Sequence, residues 1–146
     1  MIAQEGHLKN YWYAAGTSKD VGVKKPIKRI IFNIPIVLWR TKDAKLSALL
    51  DRCAHRNAPL SAGRIKDCGI VCPYHGWVFE QNGQCSNIPS EGPHKERIPK
   101  HKVEKFPTLE QNGLIPAVTD FINMLDAKSK AKIKSQTQLN QIRMLI

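Results

Sequence analysis

A small, mainly β domain, an antiparallel sandwich or barrel, is the fold class predicted by two features of this sequence. Short apolar or β-branched segments alternate with turn signals through most of the first 115 residues. Near Pro116 that pattern stops, and apolar residues at helical spacing are followed by a basic run. Residues 1–115 therefore read as one β domain, with two loops gathered at one end. Residues 116–146 read as a divergent tail, either a short helix or disordered.

The elements follow in order. Residues 11–15, Tyr-Trp-Tyr-Ala-Ala, form the first expected strand. Residues 27–32 and 36–40 flank Asn33-Ile34-Pro35 and read as a hairpin. Lys42-Asp43-Ala44-Lys45 turns the chain into a strand over 46–51. Residues 69–72 and 78–80 lead into and out of a short loop. Gln81-Asn82-Gly83 is a hairpin turn into 84–88. The Pro- and charge-rich stretch 89–100 is irregular. Residues 102–106 and 114–118 are expected to return as strands around Glu110-Gln111-Asn112-Gly113. Val118, Phe121, Ile122 and Leu125 then fall at helical spacing, with Thr119 or Asp120 as the N-cap. A basic run over 128–135 and a weaker stripe of Leu139, Ile142, Leu145 and Ile146 complete the chain.

Two segments carry the chemistry: Cys53-Ala54-His55-Arg56 and Cys72-Pro73-Tyr74-His75-Gly76-Trp77. Written as one pattern they read C-x-H-x16-C-x2-H. In each, the Cys precedes the His by two or three residues, which puts a thiolate and an imidazole on one loop tip. Two Cys and two His match a two-iron cluster in which one iron takes both sulfurs and the other both imidazoles. This is the ligand set of a Rieske [2Fe–2S] centre. Imidazoles donate less negative charge than thiolates, so such centres lie at roughly −150 to +300 mV against about −400 mV for plant-type clusters. A tetrahedral Cys2His2 zinc or interaction module is the competing reading. Zinc modules usually group like with like, whereas each loop here carries one Cys and one His.

The flanks extend the pattern. They include Tyr11-Trp12-Tyr13-Ala14-Ala15, Leu46-Ser47-Ala48-Leu49-Leu50-Asp51, Asn57-Ala58-Pro59-Leu60-Ser61-Ala62-Gly63, Val78-Phe79, Gly83-Gln84-Cys85 and Ile88-Pro89-Ser90. With the two ligand segments, these make the chain from about residue 11 to 115 resemble the Rieske domain of Rieske-type non-haem iron oxygenases. That family hydroxylates aromatic rings and removes O-methyl groups. The resemblance implies Cys53 and Cys72 as ligands of a buried iron, and His55 and His75 as ligands of a solvent-facing iron. Respiratory Rieske proteins cross-link their loops by a disulfide; Ala58 and Tyr74 stand at those places here. The oxygenase or ferredoxin type is therefore favoured. Family oxygenases continue into a catalytic domain with a mononuclear iron held by two His and a carboxylate. Residues 116–146 contain no His, and their only acidic side chains are Asp120 and Asp126. Only the electron-delivering part is thus implied, with a truncated oxygenase acting beside a separate catalytic chain as the alternative.

In the second loop, Gly76 reads either as a turn glycine or as a place where backbone N–H groups approach the cluster sulfides. Trp77 is expected to cover the cluster side of that loop. Arg56 faces an acceptor, holds the first loop, or is simply solvated. Cys68 and Cys85 read as small buried hydrophobes. His7, His94 and His101 lie outside any ligand spacing and read as surface residues.

At 146 residues and 42% hydrophobic, the chain has the material for one real core. The first seven residues lack the basic and apolar regions of a secretory signal, and no run of about 18 apolar residues appears. No transmembrane segment is expected, and the cytoplasm is the expected compartment. The formal net charge is +11. No nucleic-acid motif accompanies it, so an acidic ferredoxin or flavin reductase is the expected electron donor. A catalytic oxygenase chain is the expected acceptor.

Overall fold

A strand that is apolar on both faces must be covered on both, and Ile34-Pro35-Ile36-Val37-Leu38-Trp39 is such a run. The computed structural model, which describes residues 12–31, 33–92, 98 and 100–118, puts it at the centre of the domain. β3 (Ile34–Arg40) pairs antiparallel with β2 (Ile27–Ile31) on one side and β4 (Leu46–Leu50) on the other. Its side chains alternate between two cores. Ile36 and Leu38 face one core with Ala15, Val21, Ala48, Phe106 and Ile115. Val37 and Trp39 face the other with Leu49, Leu60, Ile70, Phe79 and both motif cysteines. Completely burying a side chain such as Leu38 contributes about 1.5–3 kcal/mol, so this one strand ties the two halves together.

Two further sheets flank it. β1 (Trp12–Thr17) pairs with β9 (Leu114–Val118) and closes the first core. β5 (Arg64–Lys66), β6 (Gly69–Val71), β7 (Val78–Phe79) and β8 (Cys85–Asn87) form a four-stranded antiparallel sheet over the second. The fold is mainly β, as expected. β9 runs past the 115/116 break read from the sequence, and Val118 pairs with Trp12. The helical spacing and basic run beyond Val118 lie outside the described residues, as do His7 and His94. Among the described residues, no helix is long and apolar enough to cross a membrane.

The structure differs from the sequence expectations in three places. β3 begins at Ile34, earlier than expected, because Asn33 adopts φ 63° and lets Ile31 pair with Ile34. Pro35 sits inside that strand and lacks an N–H, yet its carbonyl still accepts from Asp51 N at 2.8 Å. β5 was not foreseen. Finally, residues 102–106 do not make a strand. Leu50 N donates to Glu104 O, and Val103 N donates to Gly83 O, so the segment splits its bonds between two sheets. It contributes only isolated bridges, Lys102 to Gln84 and Lys105 to Leu49.

Arg40 fastens β3 to the approach to β9. Its Nε donates to Val21 O at 2.9 Å, and its two terminal nitrogens reach the Glu110 carboxylate at 2.9 and 2.6 Å. This guanidinium holds the Glu110 carboxyl down to about 2 from its ordinary 4.5. A carboxylate depressed on folding stabilises the fold above its unfolded pKa, and that contribution is lost as pH falls through the folded pKa. Urea midpoints of the wild type should therefore drop between pH 4.5 and about 2 more than those of Glu110→Gln. Parallel midpoint curves for the two proteins would remove the pair from the pH response.

Candidate metal centre

The first motif loop connects β4 to β5, and the second connects β6 to β7. The two close by the same hydrogen bonds. Cys53 N donates to Ala58 O at 2.9 Å, and Asn57 N donates to Cys53 O at 2.9 Å. Likewise Cys72 N donates to Trp77 O at 2.8 Å, and Gly76 N donates to Cys72 O at 3.1 Å. The fourth residue after each Cys has a positive φ, 56° for Asn57 and 73° for Gly76. Asn and Gly are the residues that tolerate this conformation best. The Gly76 N–H is thus spent on closing its own turn.

The first loop is longer and has its own anchor. Asp51, almost fully buried, accepts from Ser61 N at 2.7 Å and from Ser61 Oγ at 2.6 Å. This clamps the start of the loop to its exit. Between them, the short 3-10 turn Leu60–Ala62 drops Leu60 into the core.

The four motif side chains sort by depth. Cys53 and Cys72 are both 2% exposed and belong to the same core. Burial pushes the Cys53 thiol up to about 11, and the neighbouring Cys72 thiol adds to that rise, with the backbone N–H groups of His55 and Arg56 acting in the opposite direction. His55 and His75 are exposed, with ring centroids 4.7 Å apart. Loss of surrounding water, then the charges of His75 and Arg56, lowers the His55 pKa. That favours the neutral imidazole, the form that ligates metals. A buried thiol pair, with Cys53 kept from ionising alone by burial, beside two exposed imidazoles fits a group that brings positive metal charge to the site. Among the described residues, no three His, Cys, Asp or Glu side chains converge on one metal ion. A two-iron cluster asks for two protein ligands per iron and needs no such trio.

The neighbours complete the site. Trp77 is 7% exposed and stacks on His55, with centroids 4.7 Å apart and an interplanar angle of 1°. It therefore covers both loops and also belongs to the core. Arg56 is exposed beside the first loop. His101, read from the sequence as a surface residue, is half-buried, and its ring meets the Trp77 edge at 4.8 Å. No spacing in the sequence signals that contact. Cys85 is buried, as expected, and burial raises its thiol pKa. Cys68 is only half-buried, because it lies in the turn between β5 and β6 beside Asp67, whose φ is 53°.

Comparisons with known proteins agree with this geometry. The Rieske [2Fe-2S] domain family matches residues 11–108. A putative toluene-4-sulfonate monooxygenase system iron-sulfur subunit of Comamonas testosteroni is 46% identical over 109 residues, covering 74% of this chain and 30% of that protein. The oxygenase component of dicamba O-demethylase from Stenotrophomonas maltophilia is 37% identical over 119 residues, covering 77% of this chain and 34% of that protein. A crystal structure of apo dicamba monooxygenase superposes with a TM-score of 0.73 at 34% identity, over 85% of this chain and 38% of that one. The chain thus spans 30% and 34% of the length of these two relatives. With the family matched across both loops and the fold shared with an oxygenase component, the chain belongs to the Rieske [2Fe–2S] domain family, and a Rieske-type two-iron cluster is its cofactor.

Proposed function

We propose that this chain is the electron-delivering module of an oxygenase system, with Cys53 and Cys72 holding the inner iron and His55 and His75 the outer one. The observation that carries this reading is the sorting of donors by depth, a buried thiol pair beneath an exposed imidazole pair. When bound, the [2Fe–2S] group supplies reversible one-electron chemistry. The chain's own residues decide where that chemistry is accessible. Leu60, Ile70 and Phe79 pack in the core that encloses Cys53 and Cys72 and exclude water from the sulfur side. The His55 and Arg56 N–H groups compensate negative charge at the Cys53 sulfur. His55 and His75 bring the opposite side to the surface, where a partner can approach.

The partners follow from charge and from the relatives. Net charge +11, with Arg52 and Arg56 exposed beside the first loop, suits an acidic ferredoxin or flavin reductase as donor. A catalytic oxygenase centre, in a separate chain or domain, is the acceptor. Residues 116–146 hold no His, so a two-His-one-carboxylate iron site cannot be built from them. We place this exchange in the cytoplasm, where reducing conditions suit the free thiols of Cys68 and Cys85.

The test is a turnover experiment on the 146-residue chain loaded with cluster. Supplied with an acidic ferredoxin and its reductase, it should cycle between oxidation states and leave aromatic substrates unmodified. Reduction should slow as salt shortens the screening length from about 10 Å at 0.1 M to about 3 Å at 1 M. Multiple-turnover, O₂-dependent hydroxylation or demethylation by this chain alone would falsify the electron-transfer reading. Reduction rates that ignore salt would remove the acidic donor.

A further inference from the structure

We infer that Trp77 is a positioning residue for the first-loop imidazole: its indole, met edge-on by His101, fixes the plane of the His55 ring and makes the two imidazoles of the site inequivalent. This assignment rests on the ligand reading proposed above.

The sequence places Trp77 on the second loop, and the loop's own closure fixes its backbone, since its carbonyl accepts from Cys72 N at 2.8 Å. Its side chain nevertheless crosses to the first loop. The indole and the His55 ring lie parallel, at 1°, with centroids 4.7 Å apart. The indole is 7% exposed and also packs near Phe79, with centroids 6.4 Å apart. A rigid, buried plane therefore supports an exposed ring. An imidazole bonded to a metal through one nitrogen can still tilt about that bond as far as its side-chain tether allows, and a stacked indole disfavours the tilt.

Among the described residues, no buried ring lies parallel to His75. Its ring meets Tyr74 at 3.9 Å and 41°, but Tyr74 is itself 61% exposed. A solvated phenol can turn with the ring that it touches. The two imidazoles thus sit in unlike surroundings, one on a core residue and one beside a surface residue. Their planes are 58° apart.

His101 completes the arrangement from outside both loops. Its ring meets the indole edge-on, at 4.8 Å and 61°, which suits the aromatic quadrupoles. Its backbone is held firmly. The carbonyl accepts from Cys85 N at 2.9 Å and from Gln84 Nε2 at 3.1 Å, and the N–H donates to Ile98 O at 3.2 Å. A contact series from His101 through Trp77 to His55 therefore links the strap after residue 100 to a proposed ligand. Groups that orient a ligand also tune the metal, so the series should be visible in the electronic signature of the centre.

The experiment uses the full chain, cluster-loaded and labelled with 15N-histidine, as wild type, Trp77→Leu, Trp77→Phe, His101→Leu and His101→Phe. Iron and sulfide are counted, and the histidine-nitrogen hyperfine couplings of the reduced protein and its midpoint potential are measured. The wild type should show two distinct couplings. Trp77→Leu at full iron content should change one of them and shift the potential, leaving the other coupling in place. Trp77→Phe keeps a stacked ring and should restore both readouts. His101→Leu should move the same coupling by less, and His101→Phe should restore it. If Trp77→Leu takes up no iron, His101→Leu decides alone. Unchanged couplings and potential in fully loaded Leu variants would overturn the inference while the ligand assignment stands. A wild type without a two-iron signal would overturn both.

Discussion

Cys53→Ala and Cys72→Ala should each abolish cluster loading, leaving less than about a tenth of the wild-type iron and sulfide. Both thiols are buried in one core, and each sits in a loop that also carries one of the two imidazoles. Cys85 makes the informative control. It is equally buried and belongs to the same core, but its sulfur points to Asn87 O at 3.6 Å. Cys85→Ala should keep the full complement of iron and cost about 1 kcal/mol of stability as a small cavity. Iron analysis beside a urea titration separates the two effects. Wild-type iron in Cys72→Ala, or loss of all iron in Cys85→Ala, would mean that the ligands are misassigned.

Gly63→Ala should be the most damaging single-methyl change near the site. Gly63 ends the first loop where it passes against β6, and a Cβ there would lie 1.9 Å from Val71 O and 3.0 Å from Leu60 O. Val71 directly precedes Cys72, so relieving the clash must move one loop relative to the other. The expected cost is about 3 kcal/mol, with cluster loading reduced in step. Gly22→Ala is the matched control, because nothing lies within 4 Å of a Cβ at that position. It should stay within about 0.5 kcal/mol of the wild type. Equal urea midpoints for the two variants would show that the close approach of Gly63 to β6 is not a constraint.

The four proposed ligands were legible because each lies in a short local motif, and the fold class because β3, β4 and β6 are apolar runs bounded by turns. What stayed hidden is non-local or weakly patterned. β5 is Arg64-Ile65-Lys66, with a single apolar residue, so no alternation announces it. Residues 102–106 carry apolar residues at Val103 and Phe106, yet they bond to two sheets rather than one. The stacking of Trp77 on His55 joins side chains from different loops, and His101 reaches them from a third segment. Cys68 misled for a different reason. Composition places cysteines inside, but Asp67 at φ 53° makes the tight turn that leaves Cys68 half-buried.

Metal and labile-sulfide analysis of anaerobically purified protein, read with low-temperature EPR, tests the central claim most directly. The buried thiol pair and exposed imidazole pair predict two irons and two sulfides per chain, with an EPR signal that appears on reduction. One zinc per chain, without sulfide and without a signal on reduction, would contradict it.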